Sequence, residues 1–437
     1  CMLSNKDIKR INKKRPKKYR KSICYAPSHA IVIEPNGYIK NCCLSQENIG
    51  KWPDSSISEI IEGNINQIIR DKVNSMQLPF NCINCATDIN IKKDNSVMLR
   101  MFDNDSIIEE GVNYIGFSQE NTCNLKCMMC NSYKSSSYCI VNKSKNYYGD
   151  DFFNEIKPYL LKLKIANFTG GEPFLIKSNF KIWDFIIKNN PDCLINIVTN
   201  GTVLNDNIKD VLERGKFHIT VSIDSLESEL FEKIRLNSSF NSVMKNLEYF
   251  IKYSRSKNLK LNISTCPMQI NYQELQSIGQ FTKDNNLGLY LNPVISPYDL
   301  ALWPLPSKKL RSVINYLEKS NPFSKYDESN IQYCEFIDSL KIWRLKDKKI
   351  ANLTRINSSK FLVGIENILL NLGVFENQAK TVILELSKYN EMYFTKELND
   401  IFKKLPMHYF EIINSKQLDL HTINVLISNY IYYSIFS

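Results

Sequence analysis

The stretch GFSQENTCNLKCMMCNSY, residues 116–133, decides how the rest of this 437-residue chain is interpreted. It begins at the end of an apolar run, Val112 to Phe117, that is typical of a short strand. Within eight residues it carries three thiols: Cys123, Cys127 and Cys130. Three thiolates on one loop can bind one soft metal centre, but they leave a four-iron cluster one ligand short. A structural zinc site needs a fourth ligand, and the nearest candidate, Cys139, comes nine residues later.

The spacing CxxxCxxC after a first strand resembles the signature of the radical S-adenosylmethionine (SAM) enzymes. The resemblance implies that Cys123, Cys127 and Cys130 hold a 4Fe-4S cluster whose open iron binds SAM. It also implies that one-electron reduction, by a donor such as flavodoxin or ferredoxin, cleaves SAM to a 5'-deoxyadenosyl radical. A chance triplet or a zinc loop remains the alternative if no other motif agrees.

Net charge, apolar runs and cysteine content bear on three other classes of protein: nucleic-acid binding, membrane-spanning and disulfide-rich proteins. The formal net charge is +11, and Lys9 to Lys21 carries nine basic residues and no acidic one. We expect residues 1–22 to form a basic arm that is solvated or contacts a partner, and we regard nucleic-acid binding as unlikely. No run of about 20 apolar residues predicts a membrane span. The 13 cysteines, some of them clustered, favour metal binding in a cytoplasmic protein over a disulfide scaffold.

Residues 23–90 contain a second group of cysteines. Ala30 to Ile33, a turn at residues 34–37 and Tyr38 to Ile39 predict a β-hairpin, because Asn-Gly supplies the positive backbone angles of a tight turn. A helix is expected over Ile57 to Met76. The candidate metal ligands around these elements are Cys24, Cys42 or Cys43, Cys82 and Cys85.

The spacing of this second group resembles the auxiliary-cluster module called twitch, a shortened relative of the SPASM extension of radical SAM enzymes. The resemblance implies an auxiliary 4Fe-4S cluster, here placed before the catalytic domain and not after it. A structural zinc site is the alternative.

From residue 108 to about residue 300, apolar strands alternate with amphipathic helices, which predicts parallel βαβ units in an α/β fold. Six strands are expected from the one before Cys123 to Gly288–Leu291. This count matches the partial (β/α)6 barrel, related to the TIM barrel, of the radical SAM family. Residues 301–437 are expected to form a helical extension without a further cysteine group.

Active sites of such barrels lie at the carboxyl ends of the strands, where this chain places its unusual residues. The resemblance implies that Gly170, Gly171, Glu172 and Pro173 hold the SAM amino group. It implies that Ser222 and Asp224 lie near the SAM ribose and carboxylate, and that Arg235 pairs with the carboxylate. Weaker candidates are Tyr133, near the adenine, and Asn200, in the pocket.

Cys266 follows the fifth strand and is either a hydrogen-atom donor or a small buried apolar residue. We expect an enzyme that abstracts hydrogen from a substrate. The resemblance covers enzymes that modify peptides or proteins and others that act on small molecules, and the sequence does not choose between them. The rival is a zinc-stapled nucleic-acid or protein binding module without redox chemistry, which leaves the glycine motif unexplained.

Overall fold

The computed structural model describes residues 4–45, 47–95, 98–131, 134–138 and 148–345, with Glu366, Leu370, Lys380 and Tyr432. Tyr133, and all but these four residues of the helices expected over Phe361 to Ser437, lie outside the described residues. No helix in the described ranges has the length and apolar character needed to cross a membrane.

The N-terminal unit combines short helices with a small antiparallel ribbon. Its elements are α1 (Asn5–Lys14), α2 (Ala26–His29), β1 (Ala30–Ile33), β2 (Tyr38–Lys40), β3 (Gly50–Lys51), α3 (Ile57–Glu62), α4 (Asn64–Asn74) and α5 (Ile83–Asn90). The expected hairpin is present, with Ile33 opposite Ile39. Asn36 and Gly37 have φ values of 64° and 86°, as the tight turn requires.

The single helix expected over Ile57 to Met76 is two helices. Gly63 interrupts it with an extended backbone (φ −62°, ψ 155°) and ends α3 while it precedes α4. A capping box between Ser56 and Glu59 starts α3. Hydrophobic spacing runs through both helices, so periodicity alone does not reveal the break.

The basic segment is packed into the N-terminal unit and is not a free arm. Ile11 of α1 is 1% exposed. The buried guanidinium of Arg15 lies 2.6 Å from the carboxylate of Asp103, which is also buried. Arg10 lies 2.9 Å from Asp94. Arg10 and Arg15 thus pair with acidic residues of the following segment, whereas Lys9, Lys13 and Lys17 are exposed to solvent.

The barrel and the segment after it contain β4 (Tyr114–Phe117), β5 (Lys126–Cys127), α6 (Asp150–Leu160), β6 (Ile165–Phe168), α7 (Lys177–Asn189), β7 (Leu194–Thr199), α8 (Asp206–Arg214), β8 (Phe217–Ser222), α9 (Ser228–Ile234), β9 (Arg235–Leu236), α10 (Phe240–Lys257), β10 (Leu261–Thr265), α11 (Leu275–Asp284), β11 (Gly288–Leu291), α12 (Ser307–Lys319) and α13 (Glu328–Trp343). The six expected parallel strands are β4, β6, β7, β8, β10 and β11, paired in the order β11-β10-β8-β7-β6-β4. The α/β prediction with a parallel core is confirmed.

The sheet does not stop at the expected domain boundary. Strand β1 pairs in parallel with β4, with Ala30 opposite Tyr114, so the ribbon β1-β2-β3 continues the barrel sheet to nine strands. This pairing brings the N-terminal unit directly against the first catalytic strand. The sequence spacing alone indicates a separate hairpin and does not show the join.

Helices cover one face and one edge of the barrel sheet. One face packs against the surrounding helices through residues such as Phe152, Trp183 and Phe250, which belong to one buried cluster. At the far edge, side chains of α13 pair with β11: Ser329 Oγ accepts from the Leu289 N–H at 3.2 Å. Helix α13, which belongs to the helical extension expected over residues 301–437, thus covers the edge strand of the sheet.

Candidate active site

The cysteine loop is fixed by a short second sheet. Strand β5 pairs antiparallel with β9, so that Cys127 lies opposite Arg235. The N–H of Met128 donates to the carbonyl oxygen of Ile234 at 2.9 Å, and the N–H of Cys130 donates to that of Cys127 at 2.9 Å. The loop after β4 is therefore attached to the segment after β8, and two carboxyl-end regions of the barrel meet at the cysteines.

Nitrogen donors approach two of the three sulfur atoms. Asn200 Nδ2 lies 3.9 Å from Cys123 Sγ, and Arg235 Nη1 lies 3.9 Å from Cys127 Sγ. Burial raises the pKa of all three thiols, that of Cys130 to about 12, and nearby Cys127 adds to the shift of Cys130. The deprotonated form that binds metal thus needs a positive partner, which a metal centre itself supplies.

Soft thiol donors with N–H groups directed at their sulfurs fit an iron-sulfur cluster chemically. Among the described residues, however, no group of three or more His, Cys, Asp or Glu side chains has the arrangement to hold a metal ion.

The predicted glycine motif supports the start of the cysteine loop. Gly170 has φ +108°, and a Cβ there would lie 2.9 Å from the carbonyl oxygen of Glu120. A Cβ on Gly171 would lie 2.6 Å from the carbonyl carbon of Thr122. The N–H of Glu172 donates to the Thr122 carbonyl oxygen at 2.8 Å. Glycine is needed here because two backbone segments touch.

Glu172 lies inside the protein, with no exposed surface. Its carboxylate accepts from Thr199 Oγ1 at 2.8 Å, from the N–H of Asn200 at 2.7 Å and from the N–H of Phe174 at 3.2 Å. Burial raises its pKa from 4.5 to about 7 despite these bonds. Because the pKa of Glu172 is higher in the folded than in the unfolded protein, its carboxyl group stabilises the fold fully below about pH 4.5, and this stabilisation is lost as pH rises through about 7. Through its three hydrogen bonds Glu172 holds the end of β7 and the Asn200 backbone.

Asp224 and Arg235 form a buried ion pair at 2.7 Å. The other Asp224 oxygen accepts from the N–H of Cys266 at 2.7 Å. Burial would lower the pKa of Arg235, but the charges of Asp224 and Cys127 outweigh it and raise that pKa. Arg235 Nε is buried and has no hydrogen-bond partner among the described residues. The structure thus brings Asp224, Arg235 and Cys127 together, which spacing in the sequence does not show.

The remaining candidates are distributed around this centre. Ser222 ends β8 and is half-buried, and Pro173 begins a 3-10 turn over Pro173–Leu175. The thiol of Cys266 is close enough to Asp224, Arg235 and Cys127 to interact electrostatically, and burial raises its pKa. The sequence analysis missed Thr199, although its place just before Asn200 at a strand end is a usable signal.

The second cysteine group surrounds one small cavity of about 20 Å³ in the N-terminal unit. Four cysteines line it: Cys24, Cys42, Cys82 and Cys85. Cys43 is absent from the lining and hydrogen bonds to Cys42. Burial raises the pKa of Cys24 and Cys82 to about 12. Cys42, and not Cys43, thus lines this cavity together with Cys24, Cys82 and Cys85.

The chain is similar in sequence to proteins of known families. The model of the radical SAM superfamily matches residues 120–278. GTP 3',8-cyclase from Clostridium botulinum is 25% identical over 305 residues, which are 66% of this chain and 91% of that protein. GTP 3',8-cyclase from Helicobacter pylori is 27% identical over 188 residues, 40% of this chain and 54% of that protein.

Two solved structures also match part of the chain. SuiB of Streptococcus suis, bound to its precursor peptide SuiA, is 16% identical, with a TM-score of 0.36 over 46% of this chain and 44% of that chain. The enzyme anSMEcpe with bound AdoMet is 21% identical, with a TM-score of 0.37 over 46% of this chain and 57% of that chain. The chain thus spans about half the length of these solved proteins, and a likeness of this degree carries nothing about substrate. Residues 120–278 of this chain thus match the radical SAM superfamily, a family of enzymes.

Proposed function

We propose that this protein reductively cleaves SAM at a 4Fe-4S cluster held by Cys123, Cys127 and Cys130 and abstracts a hydrogen atom from its substrate. The observation that carries the proposal is the pairing of β5 with β9, which places Arg235 Nη1 3.9 Å from Cys127 Sγ. A buried cation beside a thiol suits a site whose ligands are thiolates. When bound, the cluster supplies the electron that converts SAM to a 5'-deoxyadenosyl radical.

The surrounding residues position this site. Asn200 and Arg235 donate toward Cys123 and Cys127, which favours the thiolate forms. Glu172 fixes the backbone of Asn200, and Gly171 lets the glycine motif touch the loop. These contacts hold the loop in one arrangement, as a site that binds a cofactor and a co-substrate together requires.

For SAM itself, Arg235 is the candidate partner of the carboxylate, because its buried Nε has no protein acceptor among the described residues. Asp224 holds the guanidinium by their ion pair. The amino group is assigned to the backbone of Gly170 to Pro173, since the Glu172 carboxylate already accepts three hydrogen bonds. A small electron-transfer protein, such as flavodoxin or ferredoxin, completes the proposed reaction.

The test is anaerobic reconstitution with iron and sulfide, followed by a 5'-deoxyadenosine assay with SAM and dithionite. Cys127→Ala should abolish release of the nucleoside while the N-terminal unit keeps its metal. Cys193→Ala is the matched control, because Cys193 is a buried cysteine outside both groups. Unchanged release from Cys127→Ala would refute the proposal.

We further propose that Cys24, Cys42, Cys82 and Cys85 hold a second metal centre, an auxiliary 4Fe-4S cluster. Support comes from their convergence on one cavity. A zinc ion is the competing occupant, because four thiolates also suit tetrahedral zinc.

Metal analysis separates the two occupants. About eight irons per chain would support two clusters, whereas about four irons with zinc would make the N-terminal centre structural. Cys85→Ser should lose the second centre. Cys43→Ser should keep it, and equal losses in both variants would contradict the assignment.

A further inference from the structure

Strand β1 brings a residue of the N-terminal unit to the catalytic end of the barrel. It runs parallel to β4, with Ile33 opposite Phe117, and the N–H of Ser118 donates to the carbonyl oxygen of Ile33 at 2.8 Å. Because parallel strands point the same way, the carboxyl end of β1 lies where the six barrel strands also end. The residue that follows β1 at this end is Glu34.

The backbone of Glu34 is held by a tight turn, and the residue is only 2% exposed. Its N–H donates to the carbonyl oxygen of Tyr38 at 2.8 Å. The Tyr148 hydroxyl binds both sides of the same turn, since it donates to the Glu34 carbonyl oxygen and accepts from the N–H of Gly37 at 3.0 Å. The turn thus fixes the backbone from which the Glu34 side chain extends.

The Glu34 carboxylate has a lysine on each side. Its Oε2 lies 3.6 Å from Nζ of Lys134, a residue of the segment that follows the first cysteine group. Burial lowers the pKa of Lys40 on β2, and the charge of Glu34 opposes that shift. A buried carboxylate needs such partners, because an unpaired charge inside a protein is costly. One of the two lysines belongs to the N-terminal unit and the other to the barrel, so Glu34 joins the two parts by charge.

Lys134 lies where several parts of the active site meet. Its N–H donates to the side-chain and main-chain oxygens of Asn131, both at 3.1 Å, just after Cys130. Its Nζ lies 3.5 Å from Ser118 Oγ, at the end of β4. Ser118 lies against the glycine motif, since a Cβ on Gly170 would be 3.2 Å from the same Oγ. The ammonium group is thus shared between strand ends, glycine motif and cysteine loop.

This ammonium group adds a third nitrogen to the surroundings of the cysteine triplet. The other two thiols each have a nitrogen donor at 3.9 Å. At Cys130, burial raises the pKa of the thiol to about 12, and the charge of Lys134 opposes that shift. A positive charge close to a ligand stabilises the reduced, more negative form of an iron-sulfur cluster and so raises its reduction potential.

The effect depends on where the Lys134 side chain lies. That side chain is 42% exposed, and a long, partly solvated lysine has many rotamers available to it. The Glu34 side chain, by contrast, is 3% exposed and extends from a fixed turn. The buried acid therefore selects the position of the mobile base.

We propose that Glu34 is a positioning residue of the active site: its ion pair holds Lys134 near Cys130, so that the N-terminal unit supplies part of the charge at the first cluster. The inference rests on the proposed function, since it concerns the cluster of that same site. It holds whichever metal the N-terminal cysteines bind. An ion pair that only joins the two parts of the chain would affect stability and leave the potential of the cluster unchanged.

The test is the reduction potential of the first cluster in the anaerobically reconstituted full chain, measured without SAM by electron paramagnetic resonance. The change that added SAM causes in the spectrum identifies this cluster. Lys134→Gln should lower the ratio of reduced to oxidised cluster at a fixed potential about threefold to fivefold, the effect of one partly exposed charge. For a one-electron centre this is a fall of about 30–40 mV. Lys134→Arg keeps the charge and should behave as wild type.

Glu34→Gln separates positioning from the direct effect of the Glu34 charge. Removal of a negative charge by itself raises the potential, whereas release of Lys134 lowers it. We expect a fall, and no further fall when Lys134→Gln is already present. Glu34→Asp, which keeps the charge but shortens the side chain by one methylene, is the second variant and should also lower the potential. Lys164→Gln, which breaks an exposed pair with Glu109 at the amino end of β6, is the matched control and should change nothing.

The outcomes separate the inference from the proposed function. An unchanged potential in Lys134→Gln would overturn the positioning role, as would an unchanged or higher potential in the Glu34 variants. Equal shifts from Glu34→Gln with and without Lys134 would overturn it too. A wild-type sample without a SAM-sensitive cluster signal would refute the proposed function, and the inference with it. A SAM-sensitive cluster whose potential is independent of both residues refutes only the inference.

Discussion

Replacing Gly171 by alanine tests whether the glycine motif positions the cysteine loop. The added Cβ would lie 2.6 Å from the carbonyl carbon of Thr122 and 2.7 Å from that of Asn121. Carbon atoms in contact prefer a separation of about 3.5 Å, so one of the two backbone segments has to move by about 1 Å. No flexible side chain can absorb this overlap, because both partners are backbone atoms.

The expected cost has two parts. Overpacking of this kind lowers the free energy of unfolding by about 1–3 kcal/mol. A shift of about 1 Å in a site that needs defined geometry lowers the rate by about 100-fold. The assay is release of 5'-deoxyadenosine at saturating SAM, together with iron content and thermal unfolding. Gly149→Ala is the control, because a Cβ there would have no atom within 4 Å. A Gly171→Ala protein with wild-type iron content and rate would refute the reasoning.

Three further predictions concern charged groups. Glu172→Gln should flatten the pH dependence of the free energy of unfolding in urea. Between pH 4.5 and 8 the wild-type protein should lose about 3 kcal/mol of this free energy relative to the variant, because its buried carboxyl ionises. Parallel pH profiles would contradict this. Arg15→Ala should lower the free energy of unfolding by about 1–3 kcal/mol, because it removes the closer of the two guanidinium partners of the buried Asp103 carboxylate and leaves Arg100 at 3.4 Å. Lys18→Ala, which removes an exposed ion pair, should leave the free energy of unfolding nearly unchanged, and equal losses in the two variants would show that the basic segment is not packed as described. Arg235→Lys should keep the iron but lower 5'-deoxyadenosine release about tenfold or more, because lysine cannot contact Asp224 and Cys127 together; an unchanged rate would exclude this positioning role.

Local patterns in the sequence predicted local structure well. Ala30–Ile33 and Gly288–Leu291 have the expected bounds. Asn205 caps α8 by accepting from the N–H of Ile208. These elements depend on side-chain periodicity and capping within a few residues, which one chain segment contains in full. The break at Gly63 was missed because hydrophobic spacing continues across it.

Polar alternation in the strands was present in the sequence but was not interpreted as a surface. Segments such as LINIVT and FHITVS alternate apolar and polar residues, and this pattern predicts one buried and one open face. Only strand register shows that Asn196 and His218 are neighbours. A position on one strand says nothing about the facing residue until the pairing is known.

The sequence by itself determined the parallel strand count, the hairpin turn and the cysteine loop, because each depends on residues close together in the chain. Tertiary structure alone decided that β1 joins β4, that Cys42 and not Cys43 lines the cavity of the other N-terminal cysteines, and that Asp224 pairs with Arg235. These contacts join distant segments, and their energies depend on burial and register. A single sequence does not specify those quantities until the whole chain is packed.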